Sequence, residues 1–407
     1  MIRLLHTADW HLGHSLGEKD RLAEHQAFLD FLLERISTEA VDVLIHAGDV
    51  FHSPNPPNAA LEQYYNFLVA LSQTGCRAAV FVGGNHDSVS TLNAPANLLS
   101  ALNIHVVGGV PEDPAAQLIP IRDKKEHLAL VIAAVPFLRD RDLRRSQPGE
   151  NLQERERQIR EGISNHYGNL ARLLDEKFGP EIPAVATGHL FAAGGSVGDG
   201  ERDIHVGNLG KVGPESFSDR FCYVALGHLH RPQLVGGFAH IRYAGSPVPL
   251  TFEEALRPGG LVLADISEKG EIGTRTLEIP VFRALIRVEG DVATVKEALT
   301  AVRAPEEQLT PWVEVTLRLD AYNPEAAVQV QEAAEELPLD LLRIVARYPS
   351  GTSGLEADLP AQELSDLAPR EVFLERCQSS GISEADQTHL LQTFDELLSW
   401  MDEQKSV

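Results

Sequence analysis

Cysteine is scarce: Cys76, Cys222 and Cys377 are the only three in 407 residues, and no two form a Cys-x-x-Cys pair. That excludes a disulfide framework and a cysteine-rich structural zinc site, and a reducing cytoplasm fits best. Long apolar runs are missing too. No stretch approaches the roughly 18 residues of a membrane helix, and the chain opens on a strand-like run without a charged leader, so neither insertion nor export is expected. Several catalytic signatures are also lacking, namely a Walker A loop, a Gly-x-Ser-x-Gly elbow and a Gly-x-Gly-x-x-Gly turn after a strand. The stretch containing Gly194, Gly195, Gly198 and Gly200 has neither the lysine nor the hydroxyl of a Walker loop and reads as a loop near the site.

Basic charge is short as well, with 35 Lys and Arg against 59 Asp and Glu, for a net charge of −24. Phosphate backbones are bound largely through Lys and Arg, so this balance argues against nucleic acid. The objection is limited, because binding depends on local patches and bound divalent cations add positive charge where they sit. One arginine cluster, Arg139, Arg141, Arg144 and Arg145, is diluted by Asp140 and Asp142; a solvated loop and a DNA contact both remain open. The preceding Phe137 and Leu138 read equally as a wedge or as loop packing.

What is present is a chain with 43% hydrophobic residues, long enough for two or three domains with a substantial core. Short apolar runs bounded by turn residues, at 2–6, 41–45, 78–82, 184–187 and 221–226, predict buried strands. Helical spacing of Phe28, Phe31, Leu32 and Ile36, and of Leu61, Tyr64, Tyr65 and Leu68, predicts helices over 24–36 and 60–71. Strand and helix alternate, which implies a layered α/β fold.

Each of five short motifs follows one of those strands: Asp9-Trp10-His11, Gly48-Asp49, Gly84-Asn85-His86-Asp87, Gly188-His189 and Gly227-His228-Leu229-His230. Asp9 and His11 would turn to one point if the chain is extended there, although a lone Asp-x-His is weak evidence. Gly48 permits a tight turn before Asp49, whose two oxygens suffice for two cations; a lone Gly-Asp is mostly just a turn. The third motif is the most specific. Asn85 can offer a carbonyl oxygen, His86 can donate a proton or touch phosphate, and Asp87 can fix the imidazole tautomer. His189, His228 and His230 add imidazoles, each of which alone could be structural. His52, three residues after Asp49, reads equally as facing the substrate groove and as an outer or surface residue, and is left out of the ligand set.

As a series, the motifs resemble those of the calcineurin-like metallophosphoesterase superfamily, all five present and in order. The resemblance narrows to the SbcD family of nuclease subunits through 6–13, Gly48-Asp49-Val50-Phe51 and 242–247, and covers about residues 1–260. It implies an α/β fold with a layered β-sandwich flanked by helices. It further implies one cation on Asp9, His11, Asp49 and His230 and another on Asp49, Asn85, His189 and His228, with Asp49 bridging. His86 would contact the scissile phosphate and assist the leaving group, with Asp87 orienting it. Family precedent favours manganese; magnesium, iron and zinc stay open. Cations about 3.5–4 Å apart would bind the phosphodiester and activate water. The implied activity is 3′-to-5′ exonuclease on duplex DNA and endonuclease on single strands or hairpins, in repair and recombination. A cyclic-nucleotide phosphodiesterase or a protein phosphatase would use the same core, and a DNA-end scaffold would leave it idle.

The expected domains are a nuclease domain over 1–275, a small α+β capping domain over 281–350, a linker over 351–366 and a helical tail over 367–405. The capping domain is read from strand-like 283–289, 312–319 and 341–347 separated by helix-like 292–302 and 324–337. In the tail, Leu390, Leu391, Phe394, Leu397, Leu398 and Met401 lie on one broad apolar face that must pack somewhere. The resemblance makes its partner the SMC-like ATPase subunit SbcC, places a homodimer contact on the nuclease domain and implies no membrane association. A plain stability domain, and a tail packed on its own core, are the alternatives.

Overall fold

A computed structural model describes residues 1–144, 151–192, 212–256, 259–305, 308–321 and 323–348, together with Phe373, Cys377, Gln387, Leu390, Leu391, Thr393 and Phe394. The expected linker, most of the tail, Arg145 and the Gly194–Gly200 stretch lie outside the described residues. The chain divides into two compact units. One comprises Met1–Arg287, Ala301–Glu314 and Pro338–Leu342; the other comprises Val288–Thr300, Val315–Leu337 and the chain from Arg343.

In the first unit, two six-stranded sheets face each other. The first runs Ile272–Glu278, Gly260–Ile266, Ile2–Thr7, Val43–Ala47, Ala78–Val82 and Ile104–Val107, its last four strands parallel. The second runs Gln233–Val235, Phe238–Tyr243, Tyr223–Gly227, Ala184–His189, Leu128–Ala133 and Leu118–Arg122, its middle four parallel.

The apolar runs are continuous because both faces of these strands are buried. Leu4, Val43, Ile45, Val80 and Val82 meet Leu130, Ile132, Val185 and Ala225 between the sheets. Their alternates Leu5, Leu44, Ala79 and Phe81 face outward under a cluster with Phe28, Leu32, Tyr64 and Leu68. Those last four side chains come from helices Leu22–Thr38 and Asn58–Ser72. The second sheet is covered by Leu152–Phe178, whose Ile159, Ile163, Tyr167, Leu170 and Leu174 are buried. The order is thus helix, sheet, sheet, helix.

Several boundaries shift for local reasons. Val41 and Asp42 precede their strand, because Asp42 spends its carboxylate on Arg3 N (2.9 Å) and on Arg77. Tyr65 turns to the outer face at 36% exposure while Phe67 takes the inner one. Phe31 is half-buried, its place in the core taken by Leu29.

Three further strands, Arg283–Gly290, Leu309–Arg318 and Asp340–Arg347, form a three-stranded sheet with the middle one central. Helices Val292–Ala301 and Pro324–Glu335 fill the two connections. In the second unit Val295, Leu299, Val315, Leu317 and Val330 are buried.

Candidate metal centre

All five motifs lie at the C-terminal ends of parallel strands, where open α/β sheets place their ligand sites. Asp9, His11, Asp49 and Asn85 follow strands of the first sheet; His189, His228 and His230 end or follow strands of the second. The loops beyond the strands keep pairing. Asp9 N donates to Gly48 O (2.9 Å), His11 N to Asp49 O (3.1 Å) and Leu12 N to Val50 O (2.9 Å).

The backbone at these residues is not extended, so the condition set for Asp9-x-His11 is not met. Asp9 (φ 54°), His11 (φ 50°), Asp49 (φ 58°) and His228 (φ 101°) sit at positive φ, which non-glycine residues rarely adopt. Such strain persists only where the surroundings over-determine it. Between Asp9 and His11 the indole of Trp10 is buried edge-on among Phe28, His46, Phe67 and Phe81, its Nε1–H donating to Thr7 Oγ1 at 2.9 Å. Glycine is required at Gly48, whose φ is 98° and whose Cβ would meet His189 Nδ1 at 2.2 Å. At Gly84 a Cβ would meet Asp49 Oδ1 at 2.0 Å.

Seven donor residues converge. His11 Nε2 is 3.3 Å from His230 Nε2 and 3.6 Å from Asp49 Oδ2. On the other side Asn85 Oδ1 is 3.0 Å from His189 Nε2 and 3.1 Å from His228 Nδ1, and His189 Nε2 is 3.3 Å from Asp49 Oδ2. Within the Asp9, His11, His230 group and within the Asp9, Asp49, His189 group, donor atoms lie within 4.8 Å of one another. One Asp49 oxygen, Oδ2, therefore faces both sets, while Oδ1 accepts from His86 N at 2.9 Å. Both Asp9 oxygens accept from His228 N, at 2.9 and 3.0 Å.

Electrostatics follow from burial. Desolvation pushes Asp9 up to about 7 despite His189 and His230 nearby. The same burial opposes charge on Asp49, yet the imidazoles of His189 and His11 hold it well below the ordinary carboxylate range. His189 is likewise penalised by burial but lifted to about 9 by Asp49. Burial takes His11 well below its usual value. Ring nitrogens aimed at each other and at carboxylates, all out of water, suit a divalent cation, which needs deprotonated donors and supplies the missing positive charge. The mixed nitrogen and oxygen set fits a first-row transition ion.

His86 joins the site with its ring centroid 5.0 Å from that of His11, and its Nδ1 lies 2.9 Å from His52 O. Asp87 does not take the orienting part expected of it. Its carboxylate accepts from the backbone N–H of Val50 (3.1 Å), Phe51 (2.9 Å) and Gly84 (2.9 Å), tying two ligand loops together. The His52 carbonyl holds the His86 ring instead. His52 itself, left out by sequence reasoning, places Nδ1 3.4 Å from His11 Nδ1. Also unforeseen is Glu254, 3.0 Å from His230 Nδ1; nothing in a Glu-Glu pair of a loop signals it.

Outside the ligand set, Phe137 and Leu138 part company. Leu138 packs in the core, while the Phe137 ring stands edge-on 6.3 Å from His189. Arg144 is tied to Asp140, which Arg155 also reaches at 2.9 Å.

Among known proteins, the family model described as calcineurin-like phosphoesterase matches residues 2–232. A second, described as type 5 capsule protein repressor C-terminal domain, matches residues 281–380. The chain is 36% identical over 397 residues to the SbcD subunit of the nuclease SbcCD from Escherichia coli strain K12, covering 97% of each chain. It is 33% identical over 392 residues to the protein of the same name from Rhodobacter capsulatus, covering 91% of this chain and 93% of that one. With the Bacillus subtilis protein of that name the identity is 34% over 276 residues, covering 67% and 68%.

Proposed function

We propose, for a chain that belongs to the calcineurin-like phosphoesterase family and within it to the SbcD nuclease subunits, that Asp9, His11, Asp49 and His230 hold one divalent cation and Asp49, Asn85, His189 and His228 a second. The chain is a hydrolase, the metal-dependent nuclease subunit of an SbcCD-type complex. One observation carries the two-cation reading: Asp49 Oδ2 lies 3.6 Å from His11 Nε2 and 3.3 Å from His189 Nε2, so one oxygen addresses both donor sets. Manganese is the proposed ion, since imidazole donors disfavour a pure magnesium site.

Bound cations supply positive charge against a phosphodiester and acidify water. The protein's own groups do the remaining work. With Nδ1–H donated to the His52 carbonyl, a protonated His86 has Nε2–H left for the leaving oxygen. Asp87 keeps the loops of Asp49 and Asn85 in register through three backbone N–H groups. Trp10 and the two core-facing sheets fix the donors before any cation arrives, which reduces reorganisation.

The proposed substrates are duplex and hairpin DNA ends, cut as a 3′-to-5′ exonuclease on double strands and as an endonuclease on single strands or hairpins. The proposed partner is the ATPase subunit SbcC, reached through residues 367–405; the E. coli relative named for that complex matches 97% of this chain. Domain limits of 1–275, 281–350 and a linker over 351–366 belong to the same proposal. Homodimerisation through the nuclease domain is supported by apolar side chains left outside on helix Asn58–Ser72, Tyr65 (36% exposed) and Val69 (55%), and on the short helix Ala96–Ser100 and the turn after it, Leu98 (73%) and Leu102 (45%). A cytoplasmic location is supported by three unpaired cysteines. Among the described residues no helix is long and apolar enough to cross a membrane.

The test is manganese-dependent degradation of end-labelled duplex DNA, with and without the ATPase partner, beside hydrolysis of bis-p-nitrophenyl phosphate and a phosphopeptide. DNA cleavage abolished by His86→Ala supports the nuclease reading. Turnover of the phosphopeptide with intact DNA would move the assignment to a phosphatase.

A further inference from the structure

On two of the proposed ligand histidines, the ring nitrogen turned away from the other donors meets an acceptor that fixes which tautomer the ring adopts. For His189, Nδ1 lies 2.9 Å from Ala47 O, an atom that only accepts, so Nδ1 carries a proton and Nε2 is the nitrogen left to face a cation. For His230 the neighbour is a carboxylate: Nδ1 stands 3.0 Å from Glu254 Oε1, and the pair is largely buried, with 4% of the imidazole and 18% of the carboxylate side chain exposed. Glu254 is itself held. Its Oε2 accepts from Leu250 N at 2.8 Å and its backbone N–H donates to Thr251 Oγ1 at 3.1 Å.

We propose that Glu254 is a positioning residue for His230, fixing the Nδ1–H tautomer and adding negative charge behind the ring, so that Nε2 becomes a stronger donor to the first cation. The inference rests on the two-cation reading above. It gains support from the segment in which Glu254 sits. Eight residues earlier, Ser246 Oγ lies 2.9 Å from Asp9 O, and Ser246 N donates to His230 O at 2.9 Å. Just before Ser246, Gly245, at φ 81°, passes so close that a Cβ would meet His230 O at 2.6 Å. Residues 245–254 therefore brace Asp9 and His230 together, two donors of the same cation, and touch neither Asn85 nor His228 through any of these bonds. Carboxylates in this outer position orient a ligating histidine and raise its basicity, and their loss typically weakens metal affinity 10- to 100-fold.

The experiment is titration of Mn2+ into the EDTA-stripped full-length protein by calorimetry, with free Mn2+ followed by electron paramagnetic resonance. Wild type is compared with Glu254→Ala, Glu254→Gln and His230→Ala, and melting temperatures are taken in EDTA. The expected result is about 10- to 100-fold weaker binding of one Mn2+ in Glu254→Ala. Glu254→Gln, which keeps an acceptor, should fall between it and wild type, with the other Mn2+ and the metal-free melting temperature unchanged. Wild-type affinity in Glu254→Ala, with His230→Ala impaired, overturns the role of Glu254. Equal weakening of both ions with a lowered metal-free melting temperature overturns it too, in favour of a structural part. Wild-type affinity in His230→Ala as well would bring down the metal reading itself.

Discussion

The Nε2 atoms of His11 and His230 stand 3.3 Å apart, although 219 positions separate the two residues in sequence. Two neutral imidazoles so placed oppose their lone pairs unless a proton or a cation lies between them. Burial lowers the proton affinity of His11, which leaves the cation as the better occupant.

Asp49→Ala should reduce bound manganese at both positions, because its Oδ2 faces both donor sets. Metal content after gel filtration checks this. A protein that still carries its full complement of ion refutes the bridging role.

His86→Ala should leave metal content and melting temperature near wild type and reduce phosphodiester hydrolysis by roughly 10²- to 10⁴-fold, the usual worth of a positioned general acid. The comparison is made on bis-p-nitrophenyl phosphate under saturating manganese. Metal loss alongside activity would make His86 a ligand instead.

Acid should destabilise the metal-free protein sharply. Burial lowers His6, His25 and His46 to about 3 and His14 to about 2, all from 6.5. At these four histidines the unfolded chain binds protons below pH about 6.5 that the folded one does not, so their contribution to stability is full above that value and is lost as pH drops. Each such histidine contributes a slope of up to about 1.4 kcal/mol per pH unit. Denaturant midpoints at pH 7.5, 6.5, 5.5 and 4.5 measure it, and a flat profile below 6.5 would contradict the burial.

Trp10→Ala should cost about 3–5 kcal/mol, as large aromatic truncations in cores do. It should also weaken manganese binding, since Asp9 and His11 flank the indole. Urea unfolding and metal titration on one preparation report both effects; lost stability with unchanged metal affinity would separate the indole from the site.

The sequence carried the strands and the donors because both are local signals. Five apolar runs bounded by turns mark five of the strands, and the donors stand in short motifs directly after them. The long helix Leu152–Phe178 escaped notice because its buried Ile159, Ile163, Tyr167 and Leu170 are spread among ion-paired Glu154, Arg157 and Glu161. Glu254 and the His52 carbonyl were hidden for a different reason. They meet His230 and His86 across 24 and 34 residues, through loop conformations that no periodicity encodes. Adjacency in Asn-His-Asp suggests a side-chain pair for Asp87, whereas the fold brings three backbone donors to its carboxylate.

The donors also come in two batches along the chain, residues 9 to 85 from one sheet and 189 to 230 from the other. A polypeptide still emerging from the ribosome, or one whose halves have not docked, owns only part of a centre. On the two-cation proposal, the centre is complete only once both sheets have come together.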